Sequence, residues 1–213
     1  MTDAPIEVAA FDVDGTLTVR DCVRPFLELV GGRRRLVASV VRRPLASLAA
    51  GARRDRDAVK EIVVGGVLVG RDVGAVQELG RSFATKVVAE MLRPDTLGRL
   101  RWHQQRGHRT VLVSASLRPY LEPLGAELAV DGVLCTDAAT AHGRYTDRLD
   151  GPNCRAGEKA VRLHAWLEAN GLTGARLWAY GDSRGDREML AMADRPVWVE
   201  AATVPVVPPE EQL

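Results

Sequence analysis

Five short apolar runs constrain the fold of this chain more than any other feature. They occupy residues 7–12, 110–114, 132–135, 177–180 and 196–199. Runs that are apolar at nearly every position are typical of strands covered on both faces, as in a parallel sheet. Helical patterns lie at 95–106 and 157–170, and each is followed by a glycine, which commonly ends a helix. This alternation predicts an α/β fold with a doubly wound parallel sheet.

One long stretch, residues 20–92, interrupts the alternation. Its apolar residues recur at helical spacing, as in Leu27 and Val30, and it is too long for a loop in a compact domain. We therefore predict an inserted helical subdomain over 20–92 and a core domain formed by 1–19 and 93–213. The pair Gly65-Gly66 leaves the middle of the insert ambiguous.

Two further segments carry weaker signals. Turn residues and alternating polarity predict a small hairpin within 139–149. The Pro-rich tail, residues 204–213, is expected to be loosely ordered.

Composition narrows the choice of partners and compartment. The formal net charge of +1 gives no argument for nucleic-acid binding, and the aromatic fraction of 5% comes without a recognised stacking motif. The longest apolar run, 62–70, is well short of the ~20 residues that a membrane span needs. Cys22, Cys135 and Cys154 lack the spacing of a zinc site, which favours free buried thiols. We expect a cytoplasmic protein, monomeric or dimeric, that does not bind nucleic acid.

A pair of carboxylates directly follows the first predicted strand, in the sequence Asp12-Val-Asp14-Gly15-Thr16. Carboxylates at positions i and i+2 just past a strand can face one pocket, where one attacks phosphorus and the other handles protons. Gly15 lets the backbone approach a ligand closely. An Asp-Gly turn or a calcium loop is the alternative, but the further oxygen ligands of an EF-hand loop do not follow.

Three more strand or helix ends carry polar groups. Ser114 ends a strand, where a hydroxyl suits a phosphate oxygen, and Ser116 is expected to cap the next helix. Lys159 stands at a predicted helix start, a place where a lone lysine is usually solvated. Asp182 and Asp186 follow the strand 177–180, and their spacing suits oxygen ligation of Mg²⁺, although a polar loop with a capping Asp is equally consistent.

In this order, the motif DxDGT, a strand ending in Ser, a Lys at a helix start and GDxxxD resemble the haloacid dehalogenase superfamily, over residues 6–19 and 93–200. The helical insert directly after DxDGT resembles the small cap of the phosphoserine phosphatase branch. The sequence Gly151-Pro-Asn-Cys154 and the segment 114–120 resemble subfamily IB of that branch. The resemblance implies a Rossmann-like core and a Mg²⁺-dependent phosphatase that works through an aspartyl-phosphate. It implies these roles: nucleophile Asp12; acid/base Asp14; phosphate-binding Ser114, Lys159, Gly15 and Thr16; metal-binding Asp12, Asp14 (through its main-chain carbonyl), Asp182 and Asp186.

The resemblance leaves the substrate open. Phosphoserine phosphatases carry a substrate-binding Glu in the cap nine residues after the nucleophile, and Asp21 has that spacing here. Ser114 is followed by Ala instead of Gly, which departs from that branch. We expect a small phosphate monoester. The alternatives are a lipid or glycerol phosphate at a membrane surface, a phosphotransferase reaction, or an interaction module without catalysis.

The insert is also basic. Its arginines form either a solvated helical face or a surface with weak attraction to anionic membranes. They are Arg33, Arg34, Arg35, Arg42, Arg43, Arg53, Arg54 and Arg56.

Overall fold

All five apolar runs form strands. The structure, a computed structural model, describes residues 6–41, 56–200 and 203–208. The strands are β1 (Glu7–Phe11), β2 (Arg109–Leu117), β3 (Gly132–Thr136), β4 (Ala138–Ala141), β5 (Arg144–Leu149), β6 (Arg176–Gly181) and β7 (Arg195–Trp198). The helices are α1 (Val23–Val41), α2 (Arg56–Leu68), α3 (Val73–Glu90), α4 (Pro94–Gln105), α5 (Arg118–Glu127), α6 (Gly157–Ala169) and α7 (Arg187–Ala191), with a 3₁₀ turn at Arg184–Asp186.

The main sheet has five parallel strands in the order β3-β2-β1-β6-β7. The central strand β1 pairs with β2 on one side and β6 on the other, so Phe11 lies opposite both Leu112 and Tyr180. The strand order reverses direction beside β1, and ligands of such sheets bind at the carboxyl ends of the strands around that reversal. The predicted fold class is confirmed, and β1 ends where a site is expected.

Both faces of the sheet are buried, which explains the continuous apolar runs. Val8 and Ala10 face a layer that includes Leu163 of α6. Phe11 faces the other layer, together with Leu100 of α4. Each fully buried Val, Leu or Phe side chain stabilises the fold by about 1.5–3 kcal/mol relative to exposure. Burial of this kind holds the strand ends, and the polar residues that follow them, in fixed positions.

The described part of the insert is mainly helical. Helices α1, α2 and α3 lie between β1 and α4, and α1 is interrupted at Gly32, whose φ is 73° and ψ 158°. The ambiguous glycines lie inside α2. A Cβ on Gly65 would approach the Asp147 carbonyl oxygen to 2.1 Å, so the missing side chain lets α2 contact β5. The division into core and cap at 20–92 stays a prediction.

The predicted hairpin is confirmed as β4 and β5. Its turn residues His142 and Gly143 both have positive φ, the conformation that two-residue hairpin turns favour. The hairpin is joined to the insert by backbone hydrogen bonds, because the Gly70 N–H donates to Tyr145 O (2.8 Å) and the Tyr145 N–H donates to Arg71 O (2.9 Å). It therefore belongs in space with the insert, although its residues follow the core in sequence.

The structure bears on two expectations about local structure. The described part of the tail contacts the core, since Val204 is buried and its N–H donates to Asp95 Oδ2 (2.9 Å), and Arg99 Nε donates to Pro205 O (2.9 Å). The expectation for Ser116 is wrong. Ser116 does not cap a helix, because β2 continues through Leu117 and α5 begins only at Arg118. Residues 209–213 of the tail lie outside the described ranges.

The structure also bears on the expectations for the cysteines and for a membrane span. The three cysteines are buried free thiols, as predicted. Within residues 6–41, 56–200 and 203–208, no helix is both long and apolar enough to cross a membrane.

Candidate active site

The loop after β1 places Asp12 at the carboxyl edge of the sheet. The Asp12 N–H donates to Tyr180 O (2.9 Å), which continues the ladder between β1 and β6 by one residue. The Val13 carbonyl accepts the N–H groups of Leu17 and Thr18 at 2.9 Å each, so the loop folds back on itself. The Asp12 side chain is buried, and the tight loop fixes the direction in which it points.

Gly15 and Thr16 bring the loop against the second acidic motif. Gly15 has a φ of +86°, and a Cβ there would lie 2.3 Å from Asp182 Oδ2. Any larger residue at this position would clash with Asp182. The close backbone approach predicted for Gly15 is therefore, in this structure, an approach to the Asp182 side chain. The Thr16 hydroxyl lies 3.4 Å from both Asp12 Oδ2 and Asp182 Oδ1. The phosphate-binding role predicted for both residues stays a prediction.

Lys159 lies at the centre of the site and is buried, whereas a lysine at a helix start usually faces solvent. Its ammonium donates to Asp12 Oδ1 (2.6 Å) and to Asp186 Oδ1 (2.5 Å). Burial lowers the pKa of Lys159, but the two carboxylates outweigh burial, and the net shift of its pKa is upward. Lys159 is therefore charged and binds both acidic motifs together.

Asp182 and Asp186 follow β6. Asp186 is buried in the 3₁₀ turn, where Ser183 donates to its Oδ2 through the backbone N–H (2.9 Å) and the hydroxyl (2.8 Å). Ser183 caps this turn, and Asp186 occupies the N-cap position of α7, as the alternative interpretation expected of an Asp, but its side chain makes no capping hydrogen bond to α7. One ligand oxygen from each of Asp12, Asp182 and Asp186 lies within 4.8 Å of the others.

This trio fits a hard divalent cation. All three ligands are carboxylate oxygens, which Mg²⁺ prefers, and Lys159 alone does not neutralise three negative charges. Burial, opposed by Lys159 and assisted by Asp186, raises the pKa of Asp12 to about 7. A bound cation would favour the ionised form of Asp12.

Asp14 is not one of the three grouped carboxylates and makes contacts of its own. Its Oδ1 accepts the Cys22 N–H (2.8 Å) and its Oδ2 accepts the Ser116 hydroxyl (2.5 Å). Burial raises the pKa of Asp14, against these hydrogen bonds. The acid/base role predicted for Asp14 stays a prediction. Metal contact through its main-chain carbonyl stays a prediction.

Ser114 and Ser116 occupy the end of β2. Ser114 is buried, and its Oγ accepts the Ser116 N–H (3.1 Å). Its contact with phosphate stays a prediction. Sequence reasoning missed the contact of Ser116 with Asp14, although the signal existed: residues i and i+2 of a strand share a face.

Asp21 lies at the start of α1 and is exposed. Its carboxylate accepts the N–H groups of Val23 (3.4 Å) and Arg24 (3.0 Å), which is the role of a helix N-cap. The structure gives Asp21 a local role, and its proposed contact with substrate stays a prediction.

Lys60 of α2 was also missed. Its ammonium donates to Asn153 Oδ1 (2.6 Å), to Thr136 Oγ1 (3.3 Å) and to the Ala115 carbonyl next to Ser114. Burial lowers its pKa to about 8. Lys60 thereby ties the insert to the strand ends. No pattern around Lys60 distinguishes it from a solvated helical lysine.

The basic residues of the insert are only partly described. Arg33 pairs with Glu28 (3.5 Å) on the surface, whereas Arg35 donates to Val69 O (2.7 Å) and packs on α2. The side chains of the other arginines beyond Val41 lie outside the described part: Arg42, Arg43, Arg53, Arg54 and Arg56. Membrane contact through this surface stays a prediction.

Comparison with known proteins decides the family. The sequence model of haloacid dehalogenase-like hydrolases matches residues 9–191, which include both acidic motifs, Lys159 and the whole insert. The chain belongs to this family. It is 38% identical over 192 residues to the protein CicA of Caulobacter vibrioides, covering 88% of this chain and 83% of CicA.

Two solved structures share the fold. A protein of unknown function from Bordetella pertussis Tohama I superposes with a TM-score of 0.69 at 23% identity, covering 92% of this chain and 90% of the other. A substrate-bound phosphoserine phosphatase superposes with a TM-score of 0.63 at 14% identity, covering 90% and 84%. At these identities the likeness concerns the fold alone. The chain is therefore a haloacid dehalogenase-like hydrolase with a phosphoserine phosphatase-like fold.

Proposed function

We propose that this protein is a Mg²⁺-dependent phosphatase that hydrolyses a small phosphate monoester through an aspartyl-phosphate on Asp12. The observation that carries the proposal is the buried contact of Lys159 with both Asp12 and Asp186, beside Asp182. Membership of a hydrolase family and likeness of fold to a substrate-bound phosphoserine phosphatase support the same reaction class.

In the first step Asp12 attacks phosphorus. A bond forms between an Asp12 carboxylate oxygen and phosphorus, the ester P–O bond breaks, and Asp14 gives its proton to the departing alkoxide. In the second step Asp14 takes a proton from water, the water oxygen bonds to phosphorus, and the acyl-phosphate bond breaks. Inorganic phosphate leaves and Asp12 is regenerated.

The other site residues bind charge. Mg²⁺ would be held by Asp12, Asp182, Asp186 and the main-chain carbonyl of Asp14, and when bound it would neutralise negative charge on phosphate and carboxylates. Lys159 and Ser114 would bind the phosphate oxygens, since a buried ammonium beside the nucleophile stabilises the transferring group. Gly15 and Thr16 would contribute loop contacts, and the helical insert would exclude water and select the alcohol.

The test is phosphate release from a panel of esters, with and without Mg²⁺. The panel contains phosphoserine, glycerol phosphates, sugar phosphates and a phosphatidyl phosphate, and an added alcohol acceptor detects phosphoryl transfer. Asp12→Asn keeps the size of the side chain but removes the nucleophile, so we expect a folded protein with no measurable turnover. Asp150→Asn changes an exposed aspartate and serves as the matched control. A fully active Asp12→Asn enzyme contradicts the proposal.

A further inference from the structure

The acid/base group proposed above is held on both of its oxygens. The Cys22 N–H binds one oxygen of Asp14 and the Ser116 hydroxyl binds the other, at 2.8 and 2.5 Å. The Cys22 contact uses the backbone, so a side-chain change there leaves the donor in place. The Cys22 thiol also lies within hydrogen-bonding reach of this carboxylate, but a thiol is a weak donor, so the Ser116 hydroxyl is the stronger side-chain donor to Asp14.

Ser116 is itself held by a second hydroxyl. Tyr120 lies four residues later in α5, and its phenol donates to Ser116 Oγ (2.6 Å). A serine hydroxyl has one proton and two lone pairs. Because Tyr120 occupies a lone pair of Ser116, the serine proton remains free to bind Asp14. Tyr120, Ser116 and Asp14 therefore form one directed chain of hydrogen bonds.

The phenol ring is fixed by the insert. Tyr120 is fully buried, and its ring centroid lies 4.8 Å from that of Phe26 in α1 and 5.3 Å from that of Phe83 in α3. Aromatic contacts of this kind restrict ring motion and contribute about 0.5–1.5 kcal/mol per pair beyond burial. The hydrogen-bond chain thus begins at rings packed between insert and core.

We propose that Ser116, oriented by Tyr120, is a positioning residue that aims the Asp14 carboxyl group at the leaving-group oxygen. This inference rests on the proposed function, because it assigns a purpose to Asp14 within that reaction. Positioned general acids contribute about 10²–10⁴-fold to rate. That contribution depends on geometry, so a carboxyl group that rotates freely loses much of it.

The chemistry of the leaving group separates positioning from packing. An alkyl phosphate releases a basic alkoxide and needs the proton of Asp14 to leave. p-Nitrophenyl phosphate releases a phenolate that leaves without protonation. If the Asp14 carboxyl group is no longer positioned, cleavage of the alkyl phosphate should slow and cleavage of p-nitrophenyl phosphate should change little. Damage to the fold or to Lys159 should slow cleavage of both esters.

The experiment compares the first-turnover rates of these two esters in Mg²⁺ for wild type, Ser116→Ala and Tyr120→Phe. For Ser116→Ala we expect about a 10²-fold loss with the alkyl ester and less than about a threefold loss with the nitrophenyl ester, at similar KM. Tyr120→Phe should change the ratio of the two rates in the same direction by about three- to tenfold. The effect is smaller because Ser116 keeps its hydrogen bond to Asp14 and loses only the one from Tyr120.

Ser39→Ala is the matched control, because it also removes a buried serine hydroxyl, one that binds Leu36 O in the insert. It should leave the ratio of the two rates unchanged. Equal losses for both esters in Ser116→Ala and Tyr120→Phe, or no loss in either, overturn the inference. If wild type cleaves neither ester, or Asp12→Asn cleaves both, the proposed function itself fails, which is a distinct outcome.

Discussion

At the scale of single residues, the site is a balance of buried charges. Lys159 is buried and forms ion pairs with two carboxylates, and a buried ion pair gains little net stability over an apolar substitute. Its burial is better explained by chemistry, because an ammonium beside a nucleophilic carboxylate neutralises an incoming phosphate. Removal of one member of such a group leaves the others uncompensated.

Lys159→Met tests this balance. We expect a loss of about 3 kcal/mol in the free energy of unfolding, because Asp12 and Asp186 lose their shared counter-charge. Denaturant titration measures the loss, and Mg²⁺ should restore part of it by supplying positive charge among the carboxylates. Lys86→Met is the matched control, since Lys86 pairs with Glu90 on the surface at 3.8 Å and should cost less than about 1 kcal/mol. Equal small losses in the two variants contradict the account.

At the scale of elements, the insert shares one hydrophobic cluster with the core, and close contacts of single residues fix the position of α2. Helix α2 contacts the hairpin at Gly65, and its Lys60 donates to oxygens of Ala115 and Thr136 on β2 and β3 and of Asn153 in the loop before α6. Apolar spacing predicted helices in this region but could not orient them. The sites of contact depend on a missing side chain and on a lysine that the pattern alone places in solvent.

Gly65→Ala tests the contact between α2 and β5. The added methyl group would meet the Asp147 carbonyl at 2.1 Å, so the helix must move, and we expect a loss of about 1–3 kcal/mol despite the better helix propensity of Ala. Gly157→Ala, at the start of α6, meets nothing within 4 Å and should change stability by less than about 1 kcal/mol. Thermal unfolding of both variants measures these changes in stability. A Gly65→Ala protein as stable as wild type would contradict the close contact between α2 and β5.

At the scale of the whole molecule, the sequence predicts the sheet better than the contacts around it. Apolar runs identify all five strands, and the rule that ligands bind at strand ends explains why Asp12 and Asp182 meet. The extension of β2 through Ser116 and the docking of Val204 on Asp95 were missed. Both depend on contacts between segments far apart in sequence, which neither propensity nor periodicity records.

The covalent step at Asp12 is the central claim of the proposed function. We would quench wild-type protein during turnover of its best ester in Mg²⁺, digest it at acid pH and locate added phosphate by mass spectrometry. We predict one phosphoryl group on Asp12 that appears and disappears with turnover and is absent from Asp12→Asn. Phosphate release without any phosphorylated Asp12, or with the phosphoryl group on another residue, would contradict the central claim.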